Sequence, residues 1–207
     1  MFWITLAAQL ISAEPISSSP LFSSEDMPKY NPYVNPEGIE RRVTTRSIVR
    51  PDGSLRDCGI ESTSGDSKFD SLICRLIVRR GHYTPARWMD GSPVYGVNRL
   101  PVRWTLGPRR TGDSDQSDLD LTVNRFPRGK HGPIFVQVIF AADEGGKLLA
   151  CAEDRARKGS KPTQHPELVQ LACDQMMKSY TAIPVRDENG KEVRSVQTGT
   201  VRIDEEQ

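Results

Sequence analysis

Four cysteines are the side chains of this sequence with the strongest potential for covalent chemistry. They are Cys58, Cys74, Cys151 and Cys173. A catalytic redox pair needs a Cys-x-x-Cys spacing or an exposed thiol of low pKa, and the separations in this chain are much longer. An even number of cysteines in an exported chain favours disulfides instead. Four cysteines permit three pairings, and their spacing alone does not choose among them.

Other residue types that often carry catalysis or bind metals are too dispersed to form a site. The histidines lack both the i, i+4 spacing of a metalloprotease helix and the clustering of a zinc site; they are His82, His131 and His165. An acidic run lacks the register and the distal Glu of a calcium loop; it contains Asp113, Asp115, Asp118 and Asp120. We therefore expect a protein that is not an enzyme and that uses no metal, cofactor or small-molecule substrate.

The composition fits two small units better than one large core. The chain has 207 residues, of which 36% are hydrophobic and 27% are charged, and small domains with much surface have this balance. The formal net charge is +1. Bulk electrostatics therefore single out neither nucleic acid nor an acidic membrane surface as a partner.

The first residues have the pattern of a short export signal. An apolar run over residues 2–11 leads to Ser12 and Ala13, small residues that suit cleavage before Glu14. Residues 1–13 are thus predicted to be a signal peptide, complete or truncated with its start upstream. The run is shorter than the roughly 20 residues that span a bilayer, and no other segment approaches that length. We expect a periplasmic protein, membrane-associated only if its N-terminus is truncated, with residues 14–37 as an extended lead-in rich in Ser and Pro.

An internal repeat in the sequence favours one of the three possible cysteine pairings. An offset of 99 aligns Cys74 with Cys173, Pro85 with Pro184, Gly91 with Gly190 and Val102 with Val201, and an offset of 93 aligns Gly53 with Gly146 and Cys58 with Cys151. Such self-similarity indicates two copies of one unit. We predict one disulfide within each copy, Cys58 with Cys74 and Cys151 with Cys173, each contributing about 3 kcal/mol by the chain-entropy model.

Each copy has the same predicted order of elements. Residues 40–49 and 134–142 are strand-like, and the turn sequences RPDGS and DEGGK join them to a second strand that ends at the first cysteine. A helix with one apolar stripe follows, with Asp66 or Ser67 as N-cap in copy one and Pro166 at the first turn in copy two. An alternating strand ends each copy. The predicted fold class is α+β, with two tandem β-β-α-β units at residues 38–106 and 131–204, each a three-stranded antiparallel sheet with one helix on one face, joined by a polar linker at 107–130.

The first copy resembles the TonB C-terminal domain family, the periplasmic receptor-binding end of the energy transducer TonB. The resemblance covers residues 38–106 and is carried by GIESTSG, FDSLICRLIVRR, YTPARWMDGSPVYG and PVRWTL. It includes Ser64-Gly65, Phe69-Asp70, Tyr83 with Pro85-Ala86, and Asp90-Gly91 with Pro93-Val94. The second copy, 131–204, is similar through fewer residues, which are Tyr180, Pro184 and Asn189-Gly190.

The resemblance implies a protein that binds an outer-membrane receptor by strand addition in transport. Its last strand would accept an extended peptide, with main-chain hydrogen bonds for affinity and alternate side chains for specificity. The residues implied in partner-strand binding are Val97, Arg99, Val102, Arg103 and Trp104 in the first copy and Val196, Val201, Arg202 and Ile203 in the second. Pro101 interrupts the first strand and indicates an edge. The alternative is a structural envelope protein whose two copies pair their edge strands into one closed, pseudo-symmetric sheet.

Overall fold

The computed structural model describes residues 10–16, 21–26, 39–106, 117–126, 132–154 and 165–206. The α-helices of this part of the chain are α1 (Ser67–Arg80) and α2 (Pro166–Ser179), and Ser24–Asp26 form one turn of 3-10 helix. The strands of the first half are β1 (Glu14–Pro15), β2 (Ile39–Val49), β3 (Leu55–Ser62), β4 (Tyr83–Thr84), β5 (Ala86–Arg87) and β6 (Pro93–Leu106). Those of the second half are β7 (Leu119–Val123), β8 (Ile134–Ala142), β9 (Leu148–Glu153), β10 (Val185–Arg186), β11 (Glu192–Val193) and β12 (Ser195–Glu205).

The first half begins with a hairpin and a capped helix. β2 and β3 are antiparallel, and in the turn between them Gly53 has a φ of 84°, a left-handed conformation that favours glycine. The Asp66 carboxylate accepts hydrogen bonds from the main-chain N–H groups of Lys68 and Phe69, and α1 starts at the next residue after this cap. The apolar stripe of α1 then packs against β2 and β6.

A buried carboxylate fixes the entry into α1. Asp70 is 5% exposed, and it accepts hydrogen bonds from Thr63 Oγ1 at 2.5 Å and from Ser64 Oγ at 2.6 Å. Burial alone would raise the pKa of Asp70, but the bonds from Ser64 and Thr63 stabilise the charged form, and the net pKa is lowered. The Thr-Ser-Gly run before the helix therefore has a structural role.

One mixed sheet of eight strands includes both halves of the chain. Its path is β3-β2-β6-β12-β8-β9, with β5 beside β6 and β7 beside β12. The halves meet where β6 and β12 run parallel, pairing residues 95–97 with residues 195–197. The predicted fold class, α+β with two tandem three-stranded antiparallel units, is therefore wrong.

The physical reason for this difference lies in the strand edges. Each half repeats strand, strand, helix and strand, so its last strand would be an exposed edge if the half stood alone. Unpaired edges invite association, and pairing β6 with β12 removes that liability. The pairing leaves Val97 at 4%, Val196 at 0% and Gln197 at 5% exposure.

The two helices lie on opposite faces of the sheet. Val102 of β6 packs with α1, whereas Val201 of β12 packs with α2. Side chains alternate along a strand, so Gly96, an even number of residues from Val102, lies on the same face as Val102 and α1. Val196 pairs with Gly96 and shares that face. Val201 is an odd number of residues from Val196 and therefore lies on the opposite face. The two halves are thus related by a pseudo-twofold axis that runs along β6 and β12. A central core on the α1 face joins residues of both halves.

Both predicted disulfides are confirmed. Cys58 is bonded to Cys74 and Cys151 to Cys173, with Cα separations of 5.6 and 5.5 Å. Each bond ties the second strand of a hairpin to the helix that follows, and no cysteine is free. Disulfides of this kind indicate an oxidising compartment outside the cytoplasm. Neither helix in the described ranges has the length and apolar character needed to cross a bilayer.

Segments predicted to lie outside the two units also take part in the fold. Of the predicted signal peptide, 1–13, residues 1–9 lie outside the described residues, while Ser12 and Ala13 are each 1% exposed. Cleavage before Glu14 stays a prediction. The predicted linker, 107–130, contains β7, which pairs with β12 in parallel. Asp113 and Asp115 lie outside the described residues.

Candidate strand-binding site

Strand β6 carries the first set of residues implied in partner binding. β2 pairs with it from Gly96 to Leu106. On its other side β12 pairs with it only over 95–97, and no described strand continues along residues 99–102. Pro101 pairs with Thr44 of β2 without a shift of register, so the missing N–H of Pro101 faces away from β2. Within the described residues, the main chain of β6 near Pro101 thus has a strand partner on one side only, and the side without one is the open side of β6.

Arg99 lies at the end of this open side that is nearer to β12. Its guanidinium donates to the carboxylates of Asp118 and Glu61. Asp118 is also bonded to Thr200 of β12, through the Thr200 N–H at 2.7 Å and through its own N–H at 2.7 Å. Burial would lower the pKa of Arg99, but Asp118 and Glu61 outweigh it and raise the pKa. Arg99 thus stays charged and links β6 to the segment that enters β7.

The other implied side chains of β6 contribute mainly to packing. Val97 and Val102 are buried, and Trp104 lies against the core under α1. Arg103 pairs with Glu40 of β2 at 3.2 Å. A partner at 99–102 would therefore bind mainly the main chain of β6, and the side chains of β6 would contribute less.

The second set of implied residues lies in an interior strand. Val196, Val201 and Ile203 have no measurable exposure, and Arg202 pairs with Asp204 at 2.9 Å. β8 flanks β12 over residues 195–203, and on the opposite side β6 covers 195–197 and β7 covers 201–205. A partner strand would have to displace β6 or β7 to reach this main chain.

Polar contacts also join the two halves beside the seam, which is the parallel pairing of β6 with β12 at residues 95–97 and 195–197. The Arg194 guanidinium lies 5.0 Å from the ring centre of Trp88, and Tyr95 Oη donates to Glu188 at 2.7 Å. Glu188 also pairs with Arg50, and these two partners, Arg50 first, lower the pKa of Glu188 to about 2. Burial, with the Glu188 carboxylate adding to it, raises the pKa of Tyr95 to about 12. The two halves are thus held as one body at the seam.

One structural feature was not found by sequence reasoning. Residues 10–16 lie in an extended conformation across the centre of the α1 face, with main-chain bonds to Arg87 and His82. The local signal in the sequence is the pair of small residues Ser12 and Ala13, and this pair also fits a cleavage site.

The described residues contain no metal-binding cluster. No group of three or more His, Cys, Asp or Glu side chains in them could hold a metal ion. His165 pairs with Glu167 at the start of α2, at 3.0 Å. Comparison with known proteins found no family model and no solved structure that matches this chain.

Proposed function

We propose that this chain is a non-enzymatic protein-binding protein of the periplasm that takes an extended peptide from a partner onto the open side of β6. The observation that carries the proposal is the absence of any described strand along that side at 99–102, although β2 pairs with these residues on the other side. A sheet edge of this kind binds peptides through main-chain hydrogen bonds.

The resemblance to the TonB C-terminal domain supports an outer-membrane receptor as the partner, and transport as the process. In that family the last strand of the unit receives the peptide, and β6 is the last strand of the first half. The proposal is restricted to this half, because β12 is flanked on both sides. Two intramolecular disulfides are compatible with a periplasmic protein.

Replacing Pro101 with alanine tests the site. Alanine would restore a main-chain N–H that faces the open side, so an added strand would gain one hydrogen bond. A net gain of about 0.5–1.5 kcal/mol corresponds to roughly 2- to 12-fold tighter binding. The probe is a fluorescent synthetic peptide copied from the periplasm-facing segment of an outer-membrane receptor, titrated against the full oxidised chain by anisotropy.

Pro184→Ala is the matched control, because Pro184 is exposed and lies outside β6. Amide shifts in NMR spectra of the native chain should change along β6 and β2 and not along β9. Equal affinity of the Pro101→Ala and Pro184→Ala chains, or shifts confined to other strands, would reject β6 as the site.

A second function is favoured by the seam itself. The pairing of β6 with β12 merges both copies into one sheet, which suits a structural envelope protein that needs no peptide. This sheet has two outer strands, β3 and β9, so it is not closed. A structural role predicts that no receptor peptide binds the chain, while strand substitutions that break the seam still impair envelope integrity in cells.

A further inference from the structure

Residues 10–16 are held as an added strand along the segment that follows α1. Ile11 N donates to Arg87 O at 3.3 Å and Arg87 N donates back to Ile11 O at 2.9 Å, while Ile16 N donates to His82 O at 2.6 Å. Between these contacts β1 pairs with β4 in antiparallel register. This main-chain pattern is the one by which sheets capture extended peptides.

The groove under this segment admits only a small side chain at its centre. Ala13 is 1% exposed, and a Cβ added to Gly96 would lie 2.6 Å from Ala13 Cβ and 2.9 Å from Ala86 Cβ. Glycine at 96 therefore provides the space that Ala13 fills. Asn98 Nδ2 donates to the Ala13 carbonyl oxygen at 3.0 Å. The groove therefore selects a small side chain at this position, and the bond from Asn98 fixes the direction of the bound main chain.

Polar groups on both halves of the chain surround the same position. Ser12 Oγ lies 3.3 Å from a carboxylate oxygen of Asp154 and 3.1 Å from one of Glu14, so its single O–H can donate to either. Below the segment, the Ser47 and Tyr83 hydroxyl groups are buried. Asn98 Oδ1 is also buried without a partner among the described residues. Because buried polar atoms are rarely left unpaired in an ordinary core, this patch resembles a binding surface more than a packed interior.

We propose that this groove is an acceptor site for an extended peptide with Ala or Ser at the position of Ala13, followed by an acidic residue as at Glu14. Residues 10–16 occupy the site in cis and compete with such a peptide. The corresponding position of the second half differs, because Gln197, the counterpart of Asn98, donates to Ile183 O of its own loop at 2.9 Å. Among the described residues this groove belongs to the first half, and it lies on the face of β6 at Gly96 and Asn98, apart from the open side at 99–102.

Tethering makes the cis segment a strong competitor. Residues 17–38 connect it to β2, and within them Asp26 pairs with Arg80 of α1 at 2.6 Å. A segment tethered over such a length has an effective concentration on the order of millimolar at its site. A free peptide at micromolar concentration would therefore fail to enter the native chain. Cleavage before Glu14, which the sequence predicts, would remove Ser12 and Ala13 and open the groove.

Replacing Ala13 with arginine tests the proposal in the full oxidised chain. Arginine cannot fit over Gly96, so the segment should leave and the groove should become available. The probe is a fluorescent synthetic peptide with the sequence of residues 8–16, AQLISAEPI, measured by anisotropy. We expect at least tenfold tighter binding to the Ala13→Arg chain than to the native chain, and no binding of the same peptide with arginine at the Ala13 position.

Ile16→Arg is the matched control, because it adds the same charge to the same segment at a side chain that is 52% exposed. This chain should bind the probe as poorly as the native one. Hydrogen exchange should show loss of protection at Arg87 in the Ala13→Arg chain, with β2, β6 and β12 unchanged. Equal binding by the Ala13→Arg and Ile16→Arg chains would overturn the proposal.

A second experiment applies if the Ala13→Arg chain does not fold. A protease site placed within residues 17–20 of the native sequence allows the segment to be cut from the folded chain without a change in the groove. Exchange of the cut segment for the labelled probe supports the proposal, and retention of the cut segment until global unfolding overturns it. Neither result depends on the main chain of β6 at 99–102, so the Pro101→Ala experiment can fail while this one succeeds.

Discussion

Replacing Val196 with alanine tests whether the two halves fold as one unit. Val196 is fully buried in the central core, together with Val49 and Val94 of the first half and Ile139 of the second. It also pairs with Gly96 across the seam. A residue in this position contributes to the stability of both halves if they form one cooperative structure.

The expected loss follows from the groups that are removed. Valine to alanine deletes two carbon atoms worth about 0.8 kcal/mol each in transfer free energy, and the cavity adds to that loss. We expect the free energy of unfolding of the whole chain to fall by about 2–3 kcal/mol. This corresponds to a change of roughly 30- to 150-fold in the unfolding equilibrium constant.

The assay combines urea denaturation with native-state hydrogen exchange. The slowest amides of α1 and of α2 should lose protection by the same factor, although Val196 belongs to the second half alone. Val78→Ala is the control, because Val78 lies on α1 with 58% exposure and should change stability by no more than about 0.5 kcal/mol. Two separate unfolding transitions, or a loss of protection confined to α2, would refute a single cooperative sheet.

Two further predictions concern the first half. Replacing Cys58 and Cys74 together with alanine should lower the free energy of unfolding by about 3 kcal/mol, measured by urea denaturation; an unchanged midpoint would contradict the stabilising role of this bond. The lowered pKa of Asp70 means that its carboxylate contributes stability above the unfolded pKa of about 3.9, and that this contribution is lost as pH falls through the folded pKa. Asp70→Asn should therefore make stability depend less on pH below about pH 4, and acid-unfolding curves of identical steepness would contradict this.

Local features of the fold could be predicted from the sequence because their causes lie within a few residues. Asp66 caps α1 through its own side chain, and Gly53 supplies a left-handed turn between β2 and β3. The cysteine pairing was also predictable, because two aligned copies restrict the choice that four cysteines leave open. The apolar run over residues 2–11 was the separate, local basis for predicting an exported chain.

The arrangement of the candidate sites was decided by contacts between distant parts of the chain. Main-chain pairing of β6 with β12 joins residues about a hundred positions apart, and main-chain groups are the same in every residue, so no side-chain pattern marks the partner. The same holds for Arg99, which meets Asp118 only because β7 aligns with β12. Ala13 is the clearest case of a residue whose role cannot be predicted from the sequence. Its small side chain suits a cleavage site and a narrow groove equally well, and only the position of Gly96 opposite it in the folded sheet reveals the groove.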